Sequence, residues 1–400
     1  MLPKKSLVPR AFALLAVTFT LAALGGGPGP RFGDPLPGLS STERERFRLG
    51  RAAFEEVESA ADGLGPVFTE NACGKCHGTP ALGGGSEIVE TRIGRRVDGK
   101  FDPLLEFGGP IIQNKAIDAG TGYIGPYSFT GEVVPREATI RAGRRSTPLF
   151  GLGLVNAVPD ESFWRIAELQ QWLSPRTAGR PHVVANLGTG ERAVGRFGWK
   201  AQLATLFDFA GDAYTNEMGI TTPLVPRENA PQGDVEALAH NPLPSDVPNE
   251  GDNDDLVLFA DFMALLAPPP RGPMTNEVRE GGLAFAVIGC ASCHLPTLRT
   301  GPHPVRALSH VTFQPFSDFL LHDMGSLGDG VEQGDASGAE MRTAPLWGVG
   351  AQTSYLHDGR ATTLEAAVLA HDGQGRPSRN RFAGLNAAQK QGLLAFLRSL

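Results

Sequence analysis

The residues able to do chemistry are four cysteines arranged in two copies of one pattern, Cys73-Gly-Lys-Cys-His77 and Cys290-Ala-Ser-Cys-His294. Each copy holds two thiols three residues apart with an imidazole directly after the second. This is the attachment pattern of a c-type haem: the thiols add across the vinyl groups, and the adjacent histidine is held under the iron. Paired thiols also occur in zinc sites and redox pairs. A four-cysteine zinc site must close both pairs on one metal, and a redox pair has no need of a following histidine, let alone twice. The spacing predicts two covalently bound c-type haems, on Cys73/Cys76 and Cys290/Cys293, with His77 and His294 as proximal ligands.

Seven histidines remain. His182, His240, His303 and His310 lie in Pro-rich or loop-like surroundings and read as surface or structural residues. His322, His357 and His371 sit in denser contexts, and each is followed by Asp, a pairing that suits a turn. His371 ends a helical run opened by Thr362 or Thr363. Leu364, Ala367 and Val368 share its face, so it turns inward and is the candidate sixth ligand of the second haem.

The elements that must position these groups follow from pattern and composition. The chain has 400 residues, 41% hydrophobic and 20% charged, with Gly 51 and Pro 32, which suits short helices and many loops. A net charge of −7 gives no basic patch for nucleic acid. Lys4, Lys5 and Arg10 precede the apolar run from Ala11 to Leu24, and Ala23-Leu24-Gly25 offers a cleavage site. Residues 1–25 therefore read as an export signal, with an uncleaved anchor as the alternative, and residues 26–40 as a linker. Thr42-Glu-Arg-Glu45 resembles a capping box opening a helix. Residues 83–143 lack helical period and read as an insertion of loops and short strands.

An internal repeat follows each haem motif: Arg145-Ser-Thr-Pro-Leu-Phe-Gly-Leu-Gly153 and Arg342-Thr-Ala-Pro-Leu-Trp-Gly-Val-Gly350. Apolar helical faces close both halves, Phe259 to Leu266 and Leu393 to Leu400. The expectation is a mainly α protein of two cytochrome c-like haem domains in tandem, residues 41–267 and 274–400, joined by a proline-rich linker at 268–273.

Three stretches carry a family likeness: Phe316-Ser-Asp-Phe-Leu-Leu-His-Asp-Met-Gly325, the Arg342–Gly350 repeat, and Leu356-His-Asp-Gly-Arg-Ala-Thr-Thr-Leu-Glu365. They resemble the di-haem oxidoreductases, and more distantly the bacterial di-haem cytochrome c peroxidases and methylamine-dehydrogenase maturation enzymes. In the peroxidases a distal Met of the C-terminal haem lies fourteen residues beyond the His of His-Asp-Gly, and the maturation enzymes have Tyr there. The corresponding residue is His371, with Met324 the runner-up ligand. The resemblance further implies a catalytic Glu followed by Met, which Glu217-Met218 matches, and a tryptophan between the haems, for which Trp199 is the candidate. Met218 is a core filler or an alternative axial ligand. No histidine lies between His77 and His182, so the first haem is expected to be open on its distal side.

The resulting expectation is a periplasmic or otherwise exported enzyme reducing hydrogen peroxide. Its electrons come from a small soluble donor, a cytochrome c or a cupredoxin, and the resemblance adds calcium between the haems. A di-haem electron carrier and an oxygenase or protein-oxidising enzyme are the alternatives.

Overall fold

The computed structural model describes residues 29–243 and 254–400; the expected export signal lies outside them, as do residues 26–28 of the expected linker. Among the described residues there are ten α-helices: α1 (Ser41–Glu55), α2 (Cys73–Cys76), α3 (Leu152–Asn156), α4 (Asp160–Leu173), α5 (Leu206–Met218), α6 (Asp254–Leu265), α7 (Asn276–Val287), α8 (Leu364–Ala370), α9 (Arg376–Ala383) and α10 (Ala387–Arg398). The strands are β1 (Val67–Phe68), β2 (Val89–Val97), β3 (Lys100–Asp102), β4 (Ile111–Ile112), β5 (Lys115–Ala116), β6 (Ile140–Arg145), β7 (His182–Ala185), β8 (Arg192–Gly195), β9 (Leu298–Arg299), β10 (Thr312–Phe313), β11 (Leu321–Asp323) and β12 (Glu340–Arg342).

The expectation of a mainly α protein built as two cytochrome c-like domains is corrected by this architecture. Helix makes up 37% and strand 15%, with the strands spread over several small sheets. One hydrophobic cluster runs from Leu36 and Phe47 through Phe262 to Phe319 and Trp347, crossing the expected boundary between halves. A second, smaller cluster joins α7 to α10. Leu36 and Leu39, placed in the expected linker, are buried, and the Leu36 amide donates to the Leu265 carbonyl at 2.8 Å.

The repeat is nonetheless visible in the helices. In each half the helix before the haem motif crosses the helix that ends the half, α1 on α6 and α7 on α10. Glycine makes both crossings possible. A Cβ at Gly50 would stand 2.2 Å from the Leu258 carbonyl oxygen, and one at Gly281 1.9 Å from that of Gly392. The box that opens α1 falls two residues before the one read from sequence: the Glu43 amide donates to Ser40 Oγ, and Glu43 accepts from the Ser40 amide at 2.7 Å.

Residues 83–143 carry most of a four-stranded sheet. β2 is nine residues long and pairs antiparallel with β3, β4 and β6. This sheet is stitched to the second half. Arg96 pairs with Glu332, and the Arg145 amide donates to the His357 carbonyl at 2.7 Å. Arg144 pairs with Asp329 at 2.6 Å. Asp329 also receives Lys200 at 3.0 Å, and the fully buried Lys200 ammonium donates to the carbonyls of Ser337 at 2.9 Å and Glu340 at 2.5 Å. A buried ammonium survives only with such a set of partners.

Candidate active site

Both thiol pairs are carried on one tight turn. Cys73 and Cys76 form α2 itself; Cys290 follows Gly289, whose φ of 91° ends α7 abruptly. All four thiols are free, and burial pushes those of Cys73, Cys76 and Cys290 up to about 12. Thiols held so far from ionisation are poor redox nucleophiles.

The histidines after the two turns are set alike. His77 Nδ1 donates to the Gly84 carbonyl at 3.0 Å and His294 Nδ1 to that of Phe316 at 3.1 Å. A carbonyl on Nδ1 fixes the neutral tautomer that leaves Nε2 free to bind a metal. Burial pushes both imidazoles down to about 4, so they are uncharged at neutral pH.

His371 completes the second site. It caps the C-terminus of α8, which starts on Thr363, and its Nδ1 donates to the Ala367 carbonyl at 2.8 Å. Its ring centre lies 6.3 Å from that of His294. Two metal–imidazole bonds of about 2 Å each would put ring centres roughly 6 Å apart, so the gap suits one shared ion. Met324 flanks this pair: a Cβ on Gly375 would stand 3.1 Å from the Met324 methyl and 3.2 Å from the His371 ring. These groups line a cavity of about 870 Å³ together with Cys290, Cys293 and Trp199. Ligand cavities run about 300–1,000 Å³.

Beside it, Cys293, Asp318 and His322 converge. His322 Nε2 meets Asp318 at 2.9 Å and Nδ1 lies 3.5 Å from Cys293 Sγ. Burial works against a charge there, but Asp318 outweighs it and raises His322 well above its ordinary value.

The first cavity, about 140 Å³, is lined by Cys73, Cys76, His77, Glu217, Met218 and Trp199. Its donor set suits haem as well as the second does, but its side chains must part to admit the macrocycle. No second histidine faces His77 across this cavity. Instead β2 brings in Glu90 and Arg92, which form an ion pair, and α5 brings Asp212 and Glu217. Glu217 and Glu90 share a hydrogen bond. Burial and the Glu90 charge raise Glu217 well above the carboxylate range. Burial opposes the charge on Glu90, yet Arg92 holds it below its ordinary value. The two carboxyls are thus pushed in opposite directions, Glu217 up and Glu90 down. Among the described residues, none offers a hydrogen bond to the Thr69 hydroxyl, which is buried in the same wall.

Trp199 belongs to both cavities, with Arg145, Ser146, Thr147, Gly198 and Phe209. Its indole N–H donates to the Arg145 carbonyl at 2.8 Å, and its own carbonyl accepts from the Arg342 amide at 2.8 Å. The two repeats thus meet around it. His357 stands 6.2 Å from the indole and lines the second cavity. His182 is held at both ring nitrogens, by the Lys200 carbonyl at 2.8 Å and the Asp335 amide at 3.2 Å. Met218 is buried in the main core cluster.

Residues 130–400 match the family model described as "Di-haem oxidoreductase, putative peroxidase". The chain belongs to this family. Haem chemistry and oxidoreductase activity come with that membership. Structures similar to this oxidoreductase include the hydrazine synthase of Kuenenia stuttgartiensis, at 14% identity over 95% of this chain and 97% of that one, TM-score 0.39. The diheme peroxidase BthA from Burkholderia thailandensis follows at 17% identity over 73% and 94%, TM-score 0.31. A MauG-like protein associated with microbial copper homeostasis has 16% identity over 63% and 89%, TM-score 0.32. No curated protein matches the sequence.

Sequence reasoning passed over Glu90, Arg92, Thr69 and Asp212. One signal was available. Residues two apart on a strand share a face, so Glu90 and Arg92 put two opposite charges on one side of an otherwise short-strand region.

Proposed function

We propose that this oxidoreductase is an exported enzyme that reduces hydrogen peroxide in the first cavity with electrons taken up at the second. Haem, bound covalently through Cys73/Cys76 and Cys290/Cys293, would supply the redox chemistry at both places. The observation that carries the reading is the asymmetry of the two cavities. The second presents two facing imidazoles, His294 and His371. The first presents one imidazole, His77, and a carboxyl pair. His294 and His371 would hold the group from two sides and leave it to exchange electrons; His77 would hold it from one side and leave room for peroxide.

Hydrogen peroxide needs two electrons and two protons to give two waters. Glu217, holding a proton, and Glu90, lacking one, are the arrangement such a reaction requires. Glu90 would take a proton from one peroxide oxygen and Glu217 would give one to the other, which leaves as water. The pair ends as it began, and the two electrons and two protons that complete the second water would come from the donor and from solvent. Arg92 keeps Glu90 charged and the pair at one proton. Trp199, in contact with both cavities, is the aromatic group through which an electron would cross.

The donor in this reading is a small soluble cytochrome c or cupredoxin. For calcium, the cluster found among the described residues, Cys293, Asp318 and His322, offers one sulfur, one nitrogen and one carboxylate oxygen, a mixed set that suits softer ions better. Electron paramagnetic resonance of the oxidised holoprotein tests the asymmetry. One low-spin and one high-spin ferric signal are expected. Two low-spin signals, with no turnover of peroxide, would establish the electron-carrier alternative.

A further inference from the structure

The second cavity opens beside an apolar ridge. Helix α4 leaves Leu169, Trp172 and Leu173 on the surface, with Trp172 79% and Leu173 55% exposed. The segment that follows, Ser174, Pro175, Arg176 and Thr177, lines the cavity mouth. Gln170, one turn earlier, donates to the Ser292 carbonyl at 2.8 Å, so the ridge is fastened to the turn that carries Cys290 and Cys293. Val287, 80% exposed, ends α7 three residues before Cys290. Adjoining bulky apolar groups at this exposure are uncommon without a partner.

The other lip of the mouth is basic. α9 carries Arg376, Arg379 and Arg381, and Arg381 donates to the Ile288 carbonyl at 3.1 Å, directly before the thiol turn. Gln374 donates to the Ala178 carbonyl at 3.0 Å, which joins the two lips. Arg176 adds a fourth positive charge. Against the four stand Asp372, which pairs with Arg376 at 2.7 Å and Arg379 at 3.6 Å, and the exposed Glu168 on α4. A local positive excess stands out on a chain whose net charge is −7.

We propose that this face docks a small redox protein with an acidic rim around an apolar patch. Trp172 and Leu173 make the dry centre of the contact, and Arg176 with the α9 arginines steers and orients the partner. Aromatic residues and arginine are what such interfaces concentrate, and charge pairing across the rim sets the association rate more than the final affinity. The place is set by electron transfer, which needs the partner's redox centre close to the thiol turn. A second copy of this chain would set the four arginines against four more, so the charge favours an acidic partner over self-association. The inference rests on the electron-uptake role proposed above for the second cavity.

The test uses the holoprotein and the triple variant Leu169→Ser, Trp172→Ser, Leu173→Ser, all three on the exposed ridge and outside the cavity lining. Reduction of the ferric protein is followed by stopped flow, without peroxide, using one acidic and one basic reduced cytochrome c as probes. The acidic cytochrome is expected to react faster than the basic one and to slow as salt rises. The triple variant is expected to lose about tenfold or more of that second-order rate. Peroxide turnover with ascorbate and a small phenylenediamine mediator reads the catalytic proposal alone and is expected to be equal in both proteins. Equal rates for wild type and variant with the acidic cytochrome overturn the docking face, as does a faster reaction with the basic one. A wild-type dimer that the variant dissolves assigns the face to a second copy instead, and likewise overturns it. Absent peroxide turnover with the small donor counts against the catalytic proposal and leaves the docking measurement standing.

Discussion

Replacing Glu217 with glutamine isolates the proton from everything else that the residue does. Glu217 is half-buried beside Glu90, and burial with the Glu90 charge raises it well above its ordinary value. Glutamine has the same shape, is also neutral, and can still donate to the Glu90 carboxylate. Folding stability and haem content should therefore be unchanged. What is lost is a transferable proton beside the bound peroxide. General acid–base groups contribute about 10²–10⁴-fold, or about 3–5 kcal/mol of activation free energy at ~1.4 kcal/mol per decade. The assay is stopped-flow reaction of the ferric holoprotein with hydrogen peroxide across pH. Wild type should react fastest while Glu217 keeps its proton and Glu90 does not. The window runs from the depressed value of Glu90 to the raised value of Glu217. The rate falls on the alkaline side as Glu217 ionises and on the acid side as Glu90 takes up a proton. A Glu217→Gln protein reacting within threefold of wild type, or a wild-type profile flat across this window, would falsify the proton-transfer role.

Replacing His371 by Gly should convert one low-spin ferric signal to high-spin; if the spectrum does not change, another residue such as Met324 is the ligand. Removing Asp329 by Asp329→Ala leaves Lys200 and Arg144 as buried charges without their carboxylate, which should cost about 3–5 kcal/mol of stability. Chemical denaturation measures it, and a loss below about 1 kcal/mol contradicts a structural role for this network. Burial, with Glu56 and Asp255, raises Glu58 from 4.5 to about 7. Its protonated form therefore stabilises the fold fully below pH 4.5, and that contribution is lost as pH rises through about 7. Denaturation midpoints should fall over this window, and Glu58→Gln should flatten that part of the fall; identical slopes in the two proteins refute the assignment.

Much of the candidate site could be read before any fold was known, because its chemistry is local. A thiol, two spacers, a thiol and an imidazole form one turn whatever surrounds them, so Cys73 to His77 and Cys290 to His294 needed no tertiary information. His371 was reachable because Leu364, Ala367 and Val368 repeat with helical period and Thr363 caps the helix. The repeat around Pro148 and Pro345 was likewise a matter of pattern. The two-domain, mainly α picture failed because periodicity reports which face of an element is buried and not what buries it. Leu36 and Leu39 read as linker, yet they close the end of α6.

Amino-acid order by itself determined which thiols and imidazoles sit together on one turn, Cys73 to His77 and Cys290 to His294, since that depends on neighbours within a turn or two. Only the tertiary structure decided that the cavities differ. Glu90 and Glu217 are 127 positions apart in sequence, and no local rule brings a strand from one segment against a helix from another. That meeting depends on β2 pairing with β6 and on Arg144 reaching Asp329 across the halves. Long-range packing raises Glu217 above its ordinary value. The same long-range packing puts Trp199 in the wall that both cavities share.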